Sequence, residues 1–146
     1  MVIGHQKGRN MKENLHRNFG MPHPEGYRKA LRLMRTAEKF GRPVVTLIDT
    51  PGPFTSLDAE ERGLGNALAG TMAEMGALQT PSVAVIIGEG GSEGALALAV
   101  GSRVLMMENA IYSAVTPEDA AGLIYQDEAR ANEAAESLKL TAGDCQ

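Results

Sequence analysis

Val83-Ala84-Val85-Ile86-Ile87 runs into Gly88-Glu89-Gly90-Gly91-Ser92-Glu93-Gly94 and then into the small-residue stretch Ala95-Leu96-Ala97-Leu98-Ala99-Val100. A second apolar run, Val44-Val45-Thr46-Leu47-Ile48, enters Asp49-Thr50-Pro51-Gly52 in the same way. Apolar on both faces, such runs have the pattern of strands inside a parallel sheet covered by helices. A buried strand that ends in glycines and opens into a helix leaves backbone N–H groups unpaired at the helix start. Such a place binds an anion, or an oxygen that becomes one during a reaction. Two of them in one short chain point to chemistry carried by backbone dipoles rather than by a nucleophile.

Outward from these turns, strand and helix patterns alternate. Met1-Val2-Ile3 reads as the tail of a strand entering the turn Gly4-His5-Gln6-Lys7-Gly8-Arg9, and polar residues 10–23 read as a loop. Tyr27, Ala30, Leu31, Met34, Ala37 and Phe40 fall at helical spacing, so a helix is expected from about Glu25 to Phe40, stopped by Gly41-Arg42-Pro43. Asp58 with Glu61 resembles a capping box opening a helix over about Ala59–Leu78, with Leu64, Leu68, Met72, Met75 and Leu78 as its buried stripe. Residues 103–107 and 111–115 read as two short strands. Thr116-Pro117 reads as the cap and first position of an alanine-rich helix reaching about Leu140. The alternation means an α/β fold with a largely parallel sheet.

Composition narrows the function classes. A chain of 146 residues is one domain by size. Net charge of −4 gives no reason to expect nucleic acid. The one cysteine, Cys145, excludes a disulfide framework or a cysteine metal site within the chain. With no apolar run of membrane-spanning length and no signal-peptide pattern, the expectation is a soluble cytoplasmic protein with no membrane contact. Basic residues gather before position 43, the pattern of a solvated helix face or of a partner-facing surface.

Several motifs have a sharp and a bland reading. Gly90-Gly91-Ser92-Glu93-Gly94 matches G-x-S-x-G, the nucleophile elbow, in a strand-to-helix context, which makes a serine hydrolase using Ser92 the alternative. The elbow order calls for a histidine after the serine, yet His5, His16 and His23 all precede it. The same loop nearly matches a dinucleotide fingerprint, but its third glycine position holds Glu93; a phosphate-binding loop fails for want of Gly-Lys-Ser/Thr. Glu60-Glu61 and Glu118-Asp119 read as first-turn acids favouring helix dipoles rather than as acid–base pairs. His23, between two prolines, reads as an exposed loop residue.

GHQKGR (4–9), RNFGMPHPEGYRKALRLM (17–34), IDTPG (48–52), AEERG (59–63), IGEGGSEGALAL (87–98) and YSAVTPE (112–118), in that order, resemble the carboxyltransferase alpha subunit of bacterial and plastid acetyl-CoA carboxylase. The resemblance implies a crotonase-like (ClpP/crotonase) spiral of ββα units. It implies, within an ATP-dependent complex, transfer of a carboxyl group from carboxybiotin on a biotinyl carrier protein to acetyl-CoA. The product would be malonyl-CoA, in the first step of fatty acid synthesis. Biotin would not be attached covalently to this chain. The implied partners are a carboxyltransferase beta subunit, which carries a zinc ribbon and most of the CoA site, and the carrier protein; the alpha chain supplies the biotin side, and no metal is expected on it.

By the same resemblance, the backbone N–H groups of Glu93 and Gly94 are the expected oxyanion donors. Gly90, Gly91 and Ser92 shape the approach, and Gly52 lines the same cavity. The transfer leaves negative charge on the biotin ureido oxygen and on an enolate. A well-placed donor is worth about 3–4 kcal/mol to such a charge.

Three stretches depart from the family pattern. Glu93 stands where the family has a glycine in GGSGG, which puts a carboxylate near a developing oxyanion and penalises any positive φ. Gly52-Pro53-Phe54-Thr55-Ser56-Leu57-Asp58 replaces G-A-Y-P-G-I-G, and Asp119-Ala120-Ala121-Gly122 replaces a G-C-A-A stretch. The family extends beyond both ends of the sequence, so residues 1–146 are expected to form a single, partial carboxyltransferase domain. A hetero- or homo-oligomer, a fragment, or a catalytically impaired scaffold are the forms expected of it.

Overall fold

The computed structural model describes residues 1–145; Gln146, the last residue of the expected domain, lies outside the described residues. Its centre is a parallel sheet in the order β1 (Val2–Gly4), β2 (Val44–Thr50), β3 (Ser82–Gly91) and β4 (Arg103–Met106). A fifth strand, β5 (Ile111–Ser113), also pairs with β3 in parallel. Gly90 pairs with Thr50 of β2 and with Tyr112 of β5, so β4 and β5 are successive segments of one run along the same side of β3.

Strand–helix alternation follows from where the apolar side chains fall. α2 (Pro24–Lys39) begins with proline at its first position and buries Tyr27, Ala30, Met34 and Ala37, one stripe at helical spacing. Its neighbour α4 (Leu64–Ala77) buries Leu64, Ala67, Leu68, Thr71 and Met75. Ala30, Met34, Val44, Ile48, Met75, Ile86 and Leu98 form one core against the sheet, and Tyr27, Ala59, Leu64, Leu68 and Ala97 a second. Small and flexible side chains let the layers approach closely where tryptophan is absent.

Four expectations need correction. Residues 10–23 are not a plain loop: Asn10 caps α1 (Met11–His16) by accepting the Glu13 N–H, and a 3-10 turn follows at Asn18–Gly20. No residue of α1 is buried, so it carries no apolar periodicity to read. The expected 59–78 helix is two helices, capped by Ser56 and not by Asp58. Ser56 Oγ accepts the Ala59 N–H at 3.0 Å to start α3 (Leu57–Glu61). Gly63 then takes φ +76°, a left-handed conformation that ends one helix and starts α4.

The turn at 88–91 is strand, because β3 continues through Gly91 before α5 (Ser92–Leu96) starts; the 49–52 turn opens into a loop, not a helix. The alanine-rich segment is likewise broken. α6 (Pro117–Tyr125) ends on left-handed Gln126 and α7 (Ala131–Leu138) folds back on it through Ala120, Ala121 and Ala134.

Candidate functional site: a cleft where two backbone turns meet

The two glycine-bearing segments converge, as their shared place in the parallel sheet requires. A β-carbon on Gly91 would stand 2.0 Å from the Pro51 carbonyl oxygen, and one on Gly94 would stand 2.5 Å from both Gly52 C and Pro53 N. Neither position has room for a side chain. Buried Thr50 fixes the first turn: its Oγ1 donates to the Gly52 carbonyl at 2.6 Å and accepts the Gly52 N–H at 3.2 Å. Gly52 itself is extended, and a β-carbon there would meet Ser92 Cβ at 3.8 Å.

A cleft of about 520 Å³ opens beside this junction. Gly52, Gly90, Gly91, Ser92 and Glu93 line one wall, and the stretch from Ser113 to Asp119 lines the other. Gly94, the sixth residue expected at the site, is buried behind the wall, where its carbonyl accepts the Tyr27 hydroxyl at 3.4 Å. The start of α5 has no side-chain cap, and N–H groups in the first turn of a helix have no intrahelical acceptor.

Ser92, and not Glu93, takes the left-handed conformation at this turn. Its φ is +54°, whereas Glu93 stays outside the left-handed region. The Ser92 hydroxyl donates to the Glu93 carboxylate. This sharp strand-to-helix turn has the backbone shape of a nucleophile elbow. No histidine is among the described residues that line the cleft, so the base an elbow serine needs is missing from its surroundings.

Charge on the cleft is of one sign. Glu89, Glu93, Glu118 and Asp119 line it, and among the described residues no lysine or arginine does. Glu89 is neutralised from outside by Lys7, 2.8 Å away. Burial raises the pKa of Tyr27, and the charge of Glu93 adds to the rise, so the phenol beneath Gly94 stays protonated. The first-turn reading of Glu118 and Asp119 holds, with Thr116 Oγ1 accepting the Asp119 N–H at 3.1 Å, although both acids also face the cleft. Among the described residues no group of three side chains is placed to hold a metal ion.

Sequence reasoning missed several supports of the site. Thr50 is a polar residue at the end of an apolar strand, a signal that was present. Tyr27 reads only as one member of a helical stripe. His23 is not a free loop residue: it packs on Phe54 at 4.5 Å between ring centroids and pairs with Asn18 at 2.9 Å. His5 lies beside β2, where its Nδ1 accepts the Asp49 N–H at 3.3 Å.

The whole chain, residues 1–146, matches the family described as acetyl co-enzyme A carboxylase carboxyltransferase-like. It is 60% identical over 145 residues to the acetyl-coenzyme A carboxylase carboxyl transferase subunit alpha of Syntrophotalea carbinolica, covering 99% of this chain and 46% of that protein. It is 59% identical over 143 residues to the subunit of the same name from Streptococcus thermophilus, covering 98% of this chain and 56% of that one. The chain thus spans about half the length of the curated relatives it matches.

Among solved structures, a transcarboxylase 12S chain superposes with a TM-score of 0.79 at 19% identity, over 86% of this chain and 26% of that one. A chain of a Pseudomonas malonate decarboxylase hetero-tetramer superposes at 0.72 and 16% identity, over 86% of this chain and 54% of that one. The shared architecture is that of the crotonase-like carboxyltransferases, of which the described residues form a part. On its motifs, its sheet and these matches, the chain belongs to the acetyl-CoA carboxylase carboxyltransferase family, on the alpha-subunit branch.

Proposed function

We propose that the cleft between the 50–53 and 90–94 segments is the biotin side of a carboxyltransferase that converts acetyl-CoA to malonyl-CoA. In this reading residues 1–146 form one partial carboxyltransferase domain. It works in the cytoplasm with a beta subunit and a biotinyl carrier protein, as part of an oligomer.

The observation that carries the reading is the donor set. The cleft wall offers backbone at the start of α5 and no cationic side chain among the described residues. Backbone N–H groups suit a neutral ureido carbonyl that gains negative charge, whereas the phosphates of a CoA would meet the carboxylates of Glu93, Glu118 and Asp119 on this cleft, with the Lys7 charge already taken up by Glu89 and Asp49. Carboxybiotin, when bound, supplies the carboxyl group, and its ureido oxygen takes up the charge left behind. The N–H of Glu93, a wall residue, stabilises that oxygen, with the Gly94 N–H next to it in the first turn of α5 although Gly94 itself lies behind the wall. Gly91 and Gly94 keep the two backbones in contact, and Gly52, Gly90 and Ser92 shape the wall.

Glu93 works against this arrangement. Its carboxylate sits on the cleft, so part of the stabilisation from the N–H groups is offset unless it turns away toward Ser92. The reading is tested by mixing the chain with a carboxyltransferase beta subunit and following malonyl-CoA decarboxylation as free biotin is raised. Saturable biotin dependence above that of the beta subunit alone supports it. A stable complex with no biotin-dependent turnover supports a scaffold that keeps the partner surface and has lost the chemistry.

The elbow-like φ of Ser92 favours one second reading, a crotonase-fold hydrolase. That reading requires covalent labelling of Ser92 by a serine-directed phosphonate, and an unlabelled protein removes it.

A further inference from the structure

The path of β3 into the cleft depends on an irregularity in its pairing with β2. The register runs Ile48↔Ile86 and then Thr50↔Gly90, so β3 advances four residues while β2 advances two. The two extra residues bulge, and beyond the bulge Gly90 pairs with Thr50 while Gly91 lies against the Pro51 carbonyl.

Three charged side chains close that bulge. Asp49 Oδ1 accepts the Glu89 N–H at 3.0 Å and lies 2.8 Å from Lys7 Nζ. Lys7 Nζ also donates to Glu89 Oε2 at 2.8 Å. Asp49 fills the space left at Gly88, where a β-carbon would stand 2.7 Å from its Oδ1. On the other side, the Asp49 N–H is taken by His5, so the Gly4–Arg9 turn holds both faces of this residue. The three charged side chains are only 29%, 26% and 37% exposed. Burial works against the ammonium, but its hydrogen bonds to the Asp49 and Glu89 carboxylates outweigh that and leave the Lys7 pKa raised.

We infer that Lys7 is a positioning residue for the cleft: it holds Asp49 and Glu89 together across the β3 bulge and thereby sets the path of Gly90, Gly91 and Ser92. Its kinetic consequence rests on the proposed carboxyl transfer; its structural consequence does not. Without the ammonium, two partly buried carboxylates face each other with nothing between them, and like charges at this range repel strongly where water is scarce. Glu89 is also a wall residue of the cleft. Freed from Lys7, it relaxes the bulge and adds an unneutralised charge where the proposed reaction develops one.

The test compares Lys7→Met, Lys7→Arg and, as a control that breaks an ion pair remote from the bulge, Arg35→Met, which removes the contact to Glu74. Amide hydrogen exchange is read residue by residue. Lys7→Met is expected to speed exchange at residues 89–92 at least tenfold while α2 and α4 change less than twofold; Lys7→Arg restores most of the protection, and Arg35→Met leaves 89–92 unchanged. With the beta subunit, Lys7→Met lowers kcat for malonyl-CoA decarboxylation about tenfold and shifts KM less than twofold.

Exchange at 89–92 within twofold of the unsubstituted chain overturns the inference, and so does a uniform rise across the whole sheet. Should Lys7→Met not fold, Glu89→Gln keeps the side-chain length and weakens only the Lys7 contact; it is expected to speed the same amides about threefold, and no change there also overturns the inference. If the unsubstituted chain has no turnover, the proposed function fails while the exchange measurements still decide the role of Lys7.

Discussion

Gly94 and Gly52 meet backbone to backbone: a β-carbon on Gly94 would lie 2.5 Å from the carbonyl carbon of Gly52. The segments are 42 residues apart in the chain, and they touch because β2 and β3 are parallel neighbours that both end at this level. The contact makes one cleft wall out of two turns. Gly94→Ala forces these backbones apart, and overpacking of this kind costs about 1–3 kcal/mol. The expected result is a lowered thermal midpoint together with loss of biotin-dependent turnover.

Glu93 gives a prediction of opposite sign. Its carboxylate lines the cleft and its φ is outside the left-handed region, so its backbone tolerates substitution. Glu93→Gln keeps the shape and removes the charge; turnover with the beta subunit is expected to rise severalfold, and Glu93→Gly to match or exceed it. Unchanged turnover in both variants argues for a scaffold in which the oxyanion site has no role.

The cap of α3 separates two readings of one sequence. Ser56 Oγ accepts the Ala59 N–H, whereas Asp58 is 72% exposed on the side chain and pairs with Arg62. Ser56→Ala is therefore expected to cost about 1 kcal/mol and Asp58→Ala less than about 0.5 kcal/mol. Urea denaturation of both variants checks the order; equal losses contradict the assignment of the cap.

His5 gives the chain an acid sensitivity with a definite sign. Burial pushes its imidazole down to about 4, against smaller raising effects from the Leu47 backbone and the charge of Asp49. Between that value and the ordinary 6.5 the unfolded chain binds the proton and the folded chain does not. The stability from keeping His5 neutral is complete above pH 6.5 and declines as pH falls toward about 4. Urea midpoints measured from pH 8 down to pH 4.5 are expected to fall more steeply for the unsubstituted chain than for His5→Asn, which keeps an acceptor for the Asp49 N–H. Parallel slopes would contradict the assignment.

Much of this architecture was legible because its signals are local. Val44–Ile48 and Val83–Ile87 are apolar on both faces, and Pro24 with the Tyr27–Ala37 stripe specifies α2, so the parallel α/β order follows from periodicity alone. The ends of elements were less legible. β3 continues through three glycines because Thr50 and Tyr112 pair with Gly90 from both sides, a tertiary effect that outweighs the low strand preference of glycine. α1 has no buried residue, and what marks it is a single cap at Asn10.

At the cleft, the glycines, Ser92 and Glu93 were visible as a motif. What supports them was not, because Lys7, Asp49 and Glu89 are far apart in the chain and meet only when three strands are in register. The left-handed φ of Ser92 and the approach of Pro51 to Gly91 likewise have no local sequence pattern.

Carboxyl transfer at the junction of the two turns underlies these expected turnover outcomes. The most direct measurement is movement of a radiolabelled carboxyl group from malonyl-CoA to free biotin, with the chain and a carboxyltransferase beta subunit combined. The predicted result is labelled carboxybiotin formed faster than with the beta subunit alone, and lost in Gly94→Ala. A complex that is intact by size-exclusion chromatography and yet forms no labelled carboxybiotin would contradict it.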